Sequence, residues 1–158
     1  MLKQKVAVFV DVQNIYYTCK QAFNRSFNYR RLIAELNDEY DIVSATAFAI
    51  APQDDGQTKF QDALKYMGFN VKTKPYIQRS DGSAKGDWDV GITIDVLDAA
   101  PRVDKVILLS GDGDFDLLLK RVRTIGCETC VISVNTLTAK SLIDQCDHYR
   151  AICPQFLL

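Results

Sequence analysis

Short apolar runs alternate along the chain with apolar stripes at helical spacing. Lys5–Val10 is a continuous apolar run after its first residue, the mark of a buried strand. In Tyr29–Tyr40, Leu32, Ile33 and Leu36 recur at helical spacing, and Asp41–Ala51 then reads as a strand. Phe60, Ala63, Leu64 and Met67 share one face of a helix that Gly68 would close. Phe69–Ile77 alternates for a few residues before Pro75, which predicts a strand with an irregular end. Asp87–Ala100 is ambiguous, because Val90, Ile92, Ile94 and Val96 alternate as in a strand. Its length and the stop at Pro101 favour a buried helix. Lys105–Ser110 is a strand. Phe115, Leu118, Leu119, Val122 and Ile125 form a helical stripe. Glu128–Val134 is a strand, Thr138–Cys146 a helix, and Tyr149–Cys153 an edge strand. Residues 12–28 receive no element.

Strand and helix in alternation, with strands apolar throughout, predict an α/β fold whose mostly parallel sheet is covered on both faces. At 158 residues, with no repeat, low-complexity segment or Pro/Gly-rich linker, the chain reads as one domain over 1–158. In such sheets ligands bind outside the C-terminal strand ends, where the strand order reverses. Asp11 follows the first strand and Asp112 follows the strand at 105–110. If those strands are neighbours, both carboxylates reach one rim.

Composition narrows the setting. With 19 basic and 20 acidic residues, the net charge of -1 argues against a protein that coats nucleic acid generally. No apolar run approaches the roughly 18 residues that span a bilayer, and nothing resembles a signal peptide. Five cysteines in a chain of this size suggest a reduced, cytoplasmic protein. Cys127 and Cys130 form a C-x-x-C that leads into a strand rather than opening a helix, so they read as small core residues more readily than as a redox pair or zinc site.

The stretch "LLSGDGDFDLLL" (Leu108–Leu119) sets Asp112, Asp114 and Asp116 against the end of a core strand. Most of the acids have an ordinary reading. Asp11 and Asn14 suit a cap or a turn. Asp114 suits the N-cap of the following helix, and Asp116 its first turn. Asp112, between two glycines, has no such role, and the glycines would let the backbone approach something closely. Asp87 and Asp89 open another helix. Carboxylates converging on one rim repel one another and their pKa values rise; a hard divalent cation removes that cost. The sequence contains no P-loop and no dinucleotide fingerprint, and its one histidine, His148, stands near the C-terminus.

Three segments together, "VFVDVQNIYY", "KGDWDVGITIDVL" and "LLSGDGDFDLLLKRVR", resemble the NYN domain, in its LabA-like branch of the PIN-like superfamily. The resemblance spans nearly the whole chain and implies a PIN-like three-layer α/β/α sandwich. It also implies a ribonuclease dependent on one or two Mg²⁺ or Mn²⁺ ions. By position it makes Asp11, Asp89 and Asp112 the metal acids, with Asp114 and Asn14 orienting waters or ligands. Asp95 matches a further family acid; about 120° around the helix from Asp89, it belongs outside the ligand set, as does Asp87.

Lys72, Lys74, Arg79 and Lys85 face only Asp81 in their segment, an excess that would grip single-stranded or structured RNA. Tyr76 lies among them, and Tyr16 and Tyr17 would stack on a base or pack in the core. The oligomeric state is open and admits a homodimer. Two alternatives stand beside the nuclease. One is a regulatory module that binds RNA or a partner with a weak or inactive site; the other is a metal-dependent phosphatase.

Overall fold

The chain folds around a parallel sheet whose central strands are the two most apolar runs of the sequence. The computed structural model describes residues 2–75, 77–78, 84–85 and 87–158, with 77–78 and 84–85 described in backbone only. In chain order the elements are β1 (Lys5–Asp11), α1 (Val12–Phe23), α2 (Tyr29–Glu39), β2 (Asp41–Ile50), α3 (Asp55–Tyr66) and β3 (Asn70–Lys74). A short antiparallel pair follows, β4 (Ile77–Gln78) and β5 (Ala84–Lys85). The chain continues through α4 (Asp89–Ala99), β6 (Lys105–Leu109), α5 (Asp116–Ile125), β7 (Glu128–Ser133), α6 (Lys140–Gln145) and β8 (His148–Ala151).

The main sheet has the order β3-β2-β1-β6-β7-β8, and every pairing in it is parallel. Alternation along β1 and β6 builds two cores. Val6, Val8, Val10, Ile107 and Leu109 pack with Ile15, Leu32, Leu36 and Leu64 of α1, α2 and α3. Ala7, Phe9, Val106 and Leu108 pack with Ile92, Leu118, Leu119 and Leu142 of α4, α5 and α6. This is the parallel sheet covered on both faces that the strand–helix alternation predicts, in the three-layer α/β/α sandwich that the resemblance implies, and it explains why these strands lack a polar face. From β1 the chain winds one way to β3, then crosses to β6 and winds the other way. The strand order reverses between β1 and β6, and the crevice of a doubly wound sheet opens there.

Three local expectations need correction. Residues 12–23 form a full helix, α1. Its buried residues Val12, Ile15 and Cys19 keep helical period, but Val12, Ile15, Tyr16, Tyr17 and Thr18 are weak helix formers and mask it. The final helix spans Lys140–Gln145 rather than 138–146, because the Thr138 hydroxyl donates to the Val134 carbonyl (2.6 Å) and Thr138 stays extended. Asp114 does not cap α5. Asp112 caps a single 3-10 turn, Gly113–Phe115, by accepting from the Asp114 backbone N–H (2.9 Å), and Asp116 sits in the first turn of α5.

The two glycines beside Asp112 do answer a close approach, but the neighbour is the chain itself. A Cβ on Gly111 would lie 2.9 Å from the Leu137 carbonyl oxygen and 3.0 Å from Thr138 Oγ1; one on Gly113 would lie 2.8 Å from Ala139 Cβ. The Gly111 carbonyl accepts from Ala139 N–H (3.1 Å), so the 110–114 loop is clamped onto the segment leading to α6. Backbone atoms cannot step aside cheaply. Gly111→Ala should therefore lower the unfolding free energy by about 1–3 kcal/mol in urea titration, the usual cost of overpacking; an unchanged midpoint would mean the clamp is looser than described.

Candidate metal centre

Parallel pairing of β1 with β6 puts Val10 opposite Leu109, so Asp11 and Ser110 emerge side by side on the rim. Ser110 is fully buried. Its hydroxyl donates to Asp11 Oδ2 (3.1 Å) and accepts from the Asp112 backbone N–H (3.2 Å). Although Asp11 occupies the cap position of α1, its side chain makes no cap bond there. Asn14, in the first turn of α1, accepts at Oδ1 from Gly111 N–H (2.9 Å). These bonds tie the start of α1 to the 110–114 loop across the strand reversal.

The third part of the rim comes from α4. Trp88, just before that helix, donates from its indole N–H to the Ala49 carbonyl at the end of β2 (2.8 Å) and packs beside Phe48. Gly91 leaves the space its ring occupies, since a Cβ there would fall 2.5 Å from the indole. Asp89, the next residue, opens α4; its N–H donates to Asp87 Oδ1 (3.2 Å), and its carbonyl accepts from the Thr93 hydroxyl (2.7 Å).

Asp89, Asp112 and Asp114 each bring a carboxylate oxygen within 4.8 Å of the other two. Asp11 stands beside this trio, held by Ser110 rather than within the set. Two of the acids register their neighbours. Burial pushes the Asp89 carboxyl up to about 7, and the charges of Asp112, Asp87, Asp11 and Asp114 add to it. Burial likewise pushes Asp11 up to about 6; the Ser110 hydrogen bond pulls the other way, and Asp112 and Asp87 raise it further. An all-oxygen cluster that resists full ionisation suits a hard divalent cation such as Mg²⁺ or Mn²⁺, which takes one or two carboxylates and leaves room for phosphate oxygens.

The remaining candidates divide. Asp95, on α4, pairs with Lys72 of β3 (2.5 Å) and is not part of the trio. Lys74 lies 4.4 Å over the Trp88 ring and donates to the Asp87 carbonyl (3.2 Å). The two β3 lysines therefore hold α4, Lys74 at its beginning and Lys72 at its middle. Tyr76, Arg79 and Asp81 lie outside the described residues, as does the side chain of Lys85. Cys127 and Cys130 sit on or beside β7, toward the opposite edge of the sheet, and burial pushes both thiols up to about 11, which suits core residues and not a reactive thiolate. His148 is exposed and pairs with Glu128 (3.2 Å). Ser110 and Trp88 escape a reading of the sequence by charge. The clues are a hydroxyl closing an apolar strand and the chain's single Trp set between two acids.

Comparison with known proteins agrees with this architecture. The chain is 28% identical over 153 residues to the low amplitude and bright protein LabA of Synechococcus elongatus, a match covering 92% of this chain and 82% of that protein. A crystal structure of a protein of unknown function from Vibrio parahaemolyticus superposes with a TM-score of 0.93 at 50% identity, covering 99% of this chain and 97% of the other. A ribokinase from Giardia lamblia shares the fold alone, with a TM-score of 0.51 at 12% identity over 94% of this chain and 58% of its own. The NYN domain model matches residues 5–153, from the first strand of the sheet through the last, and the chain belongs to the NYN domain family.

Proposed function

We propose that the protein is a divalent-metal-dependent ribonuclease that hydrolyses RNA phosphodiester bonds at the acidic rim. The observation that carries this is the convergence of Asp89, Asp112 and Asp114 where the strand order reverses. A divalent ion held there would supply Lewis-acid stabilisation of phosphoryl charge and lower the pKa of an attacking water. The chain's own residues do the rest. Asp89, Asp112 and Asp114 present the ligand oxygens. Asp11, steadied by Ser110, adds negative charge at the edge of the set and is the group placed to take a proton from an approaching water. Asn14 locks the loop that carries Asp112. No histidine is needed, consistent with the position of His148.

The alternative of a binding or regulatory module draws on the near-neutral net charge of -1, and Lys72 and Lys74, expected to grip RNA, have their amino groups engaged within the protein. Labelled single-stranded RNA with Mn²⁺ decides between them. Cleavage should be abolished by Asp112→Asn and by EDTA while the circular dichroism spectrum is retained. Intact RNA in every lane, from a folded protein that binds it, would favour the module.

The raised carboxyls set a pH dependence. Asp11 and Asp89 hold their protons more tightly folded than unfolded, where the ordinary value is 3.8. Their contribution to stability is full below that value and is lost as pH rises through about 6 and about 7. Metal must displace those protons, so stabilisation by Mn²⁺ should grow over the same window. Melting in EDTA and in Mn²⁺ at about pH 5 and about pH 8 should show a larger metal shift at the higher pH. Asp89→Asn should raise the EDTA melting temperature at about pH 8 and abolish the metal shift. Equal shifts at both pH values would contradict the assignment.

A further inference from the structure

A cleft of about 710 Å³ opens between α1 and α3 at the C-terminal end of β2, within the range of about 300–1,000 Å³ usual for small-ligand sites. Its lining includes Val12 and Gln13, the two residues that directly follow Asp11 in the chain. Its walls are aromatic. Tyr16 and Tyr17, set edge to face at 5.3 Å, are 51% and 64% exposed. Phe60 stands opposite on α3, with its ring 5.7 Å from that of Tyr29.

The floor carries unused polarity. Tyr29 is 6% exposed and Gln61 7% exposed, and both line the cleft. The Gln61 amide donates to the Ile50 carbonyl (2.8 Å), but its Oε1 receives no hydrogen bond among the described residues, and the Tyr29 hydroxyl has no partner among them. Every fully buried side-chain polar atom among the described residues is satisfied, so these two are not sealed from solvent, and the space they meet is this cleft. Nearly buried polar atoms left without partners call for an explanation. A ligand edge bearing N–H groups supplies one. Asp54, which also lines the cleft and caps α3 through the Gln57 N–H (2.8 Å), disfavours a phosphate there. The combination of flat aromatic walls, two hydrogen-bonding groups beneath and a carboxylate at the side matches a heterocyclic base and not its phosphate.

We propose that the cleft is a nucleobase subsite, receiving one unpaired base of an RNA strand whose backbone crosses the acidic rim; the path of the strand rests on the nuclease reading, whereas base binding itself does not. Tyr16 and Phe60 stack on the base, and Tyr29 and Gln61 read its edge. A base held there fixes which neighbouring phosphate meets Asp89, Asp112 and Asp114, which makes the cleft a specificity determinant for single strands.

The test uses the full chain in EDTA, titrated with adenosine, uridine and ribose 5-phosphate and followed by chemical-shift changes. The nucleosides should bind saturably and ribose 5-phosphate should not. Tyr16→Ala, at an exposed position, should weaken nucleoside binding by about tenfold. Tyr29→Phe, which removes only the hydroxyl, should weaken it as well. With Mn²⁺ and RNA, Tyr16→Ala should raise KM. Failure of the nucleosides to bind, unchanged affinity in both variants, or preference for ribose 5-phosphate would overturn the assignment. Nucleoside binding without RNA cleavage would keep the subsite and remove the nuclease, whereas RNA cleavage without nucleoside binding would remove the subsite alone.

Discussion

Everything at the candidate site depends on the parallel pairing of β1 with β6. Those two strands are distant in sequence, yet Val10 stands opposite Leu109, and the chain leaves both in the same direction at the same height. Asp11 and Ser110 then meet by necessity. The Ser110 hydroxyl bridges Asp11 to the Asp112 backbone, and Asn14 reaches over to the Gly111 N–H. Two polar side chains thereby satisfy the backbone of a loop that must turn sharply at the end of a buried strand.

Assembling negative charge on this rim has a cost, and the surroundings show how it is borne. The Gly111 and Gly113 positions are pressed against Leu137, Thr138 and Ala139, so the loop bearing Asp112 and Asp114 has little freedom to relax away from Asp89. Trp88 anchors the start of α4 on the Ala49 carbonyl, and Lys72 and Lys74 hold α4 from the β3 side. The acids are therefore constrained from three directions. Burial, with their mutual repulsion added to it, raises the carboxyl pKa values of Asp89 and Asp11. Cation sites are commonly built this way, with a rigid shell setting ligand positions that the ligands alone would not choose.

α1 links the two halves of the functional reading. Its N-terminal turn carries Asn14 toward the 110–114 loop, while Gln13, Tyr16 and Tyr17 turn toward β2 and α3. One helix thus presents a polar latch to the acidic rim and an aromatic wall to the neighbouring cleft. Helical geometry, at about 100° per residue, separates the two faces within five positions.

Much of the architecture was legible in the sequence, because burial on both faces writes itself as unbroken apolar runs and one-sided helices write themselves as stripes. The runs at 6–10 and 105–109 marked the central strands, and Leu118, Leu119 and Val122 marked α5. α1 was hidden by β-branched and aromatic residues whose helical state is imposed by packing. The acids were visible by type and spacing, but their partition was not. Asp112 caps a turn as well as facing the cluster, Asp114 completes the close trio, and Asp11 is drawn to Ser110. Periodicity and residue type are local properties, so the sequence by itself determined the elements, their order and the presence of acids after two strands. Which carboxylates meet, which lysines are already engaged and where an aromatic cleft opens depend on contacts between residues far apart in the chain, and only the tertiary structure decided them.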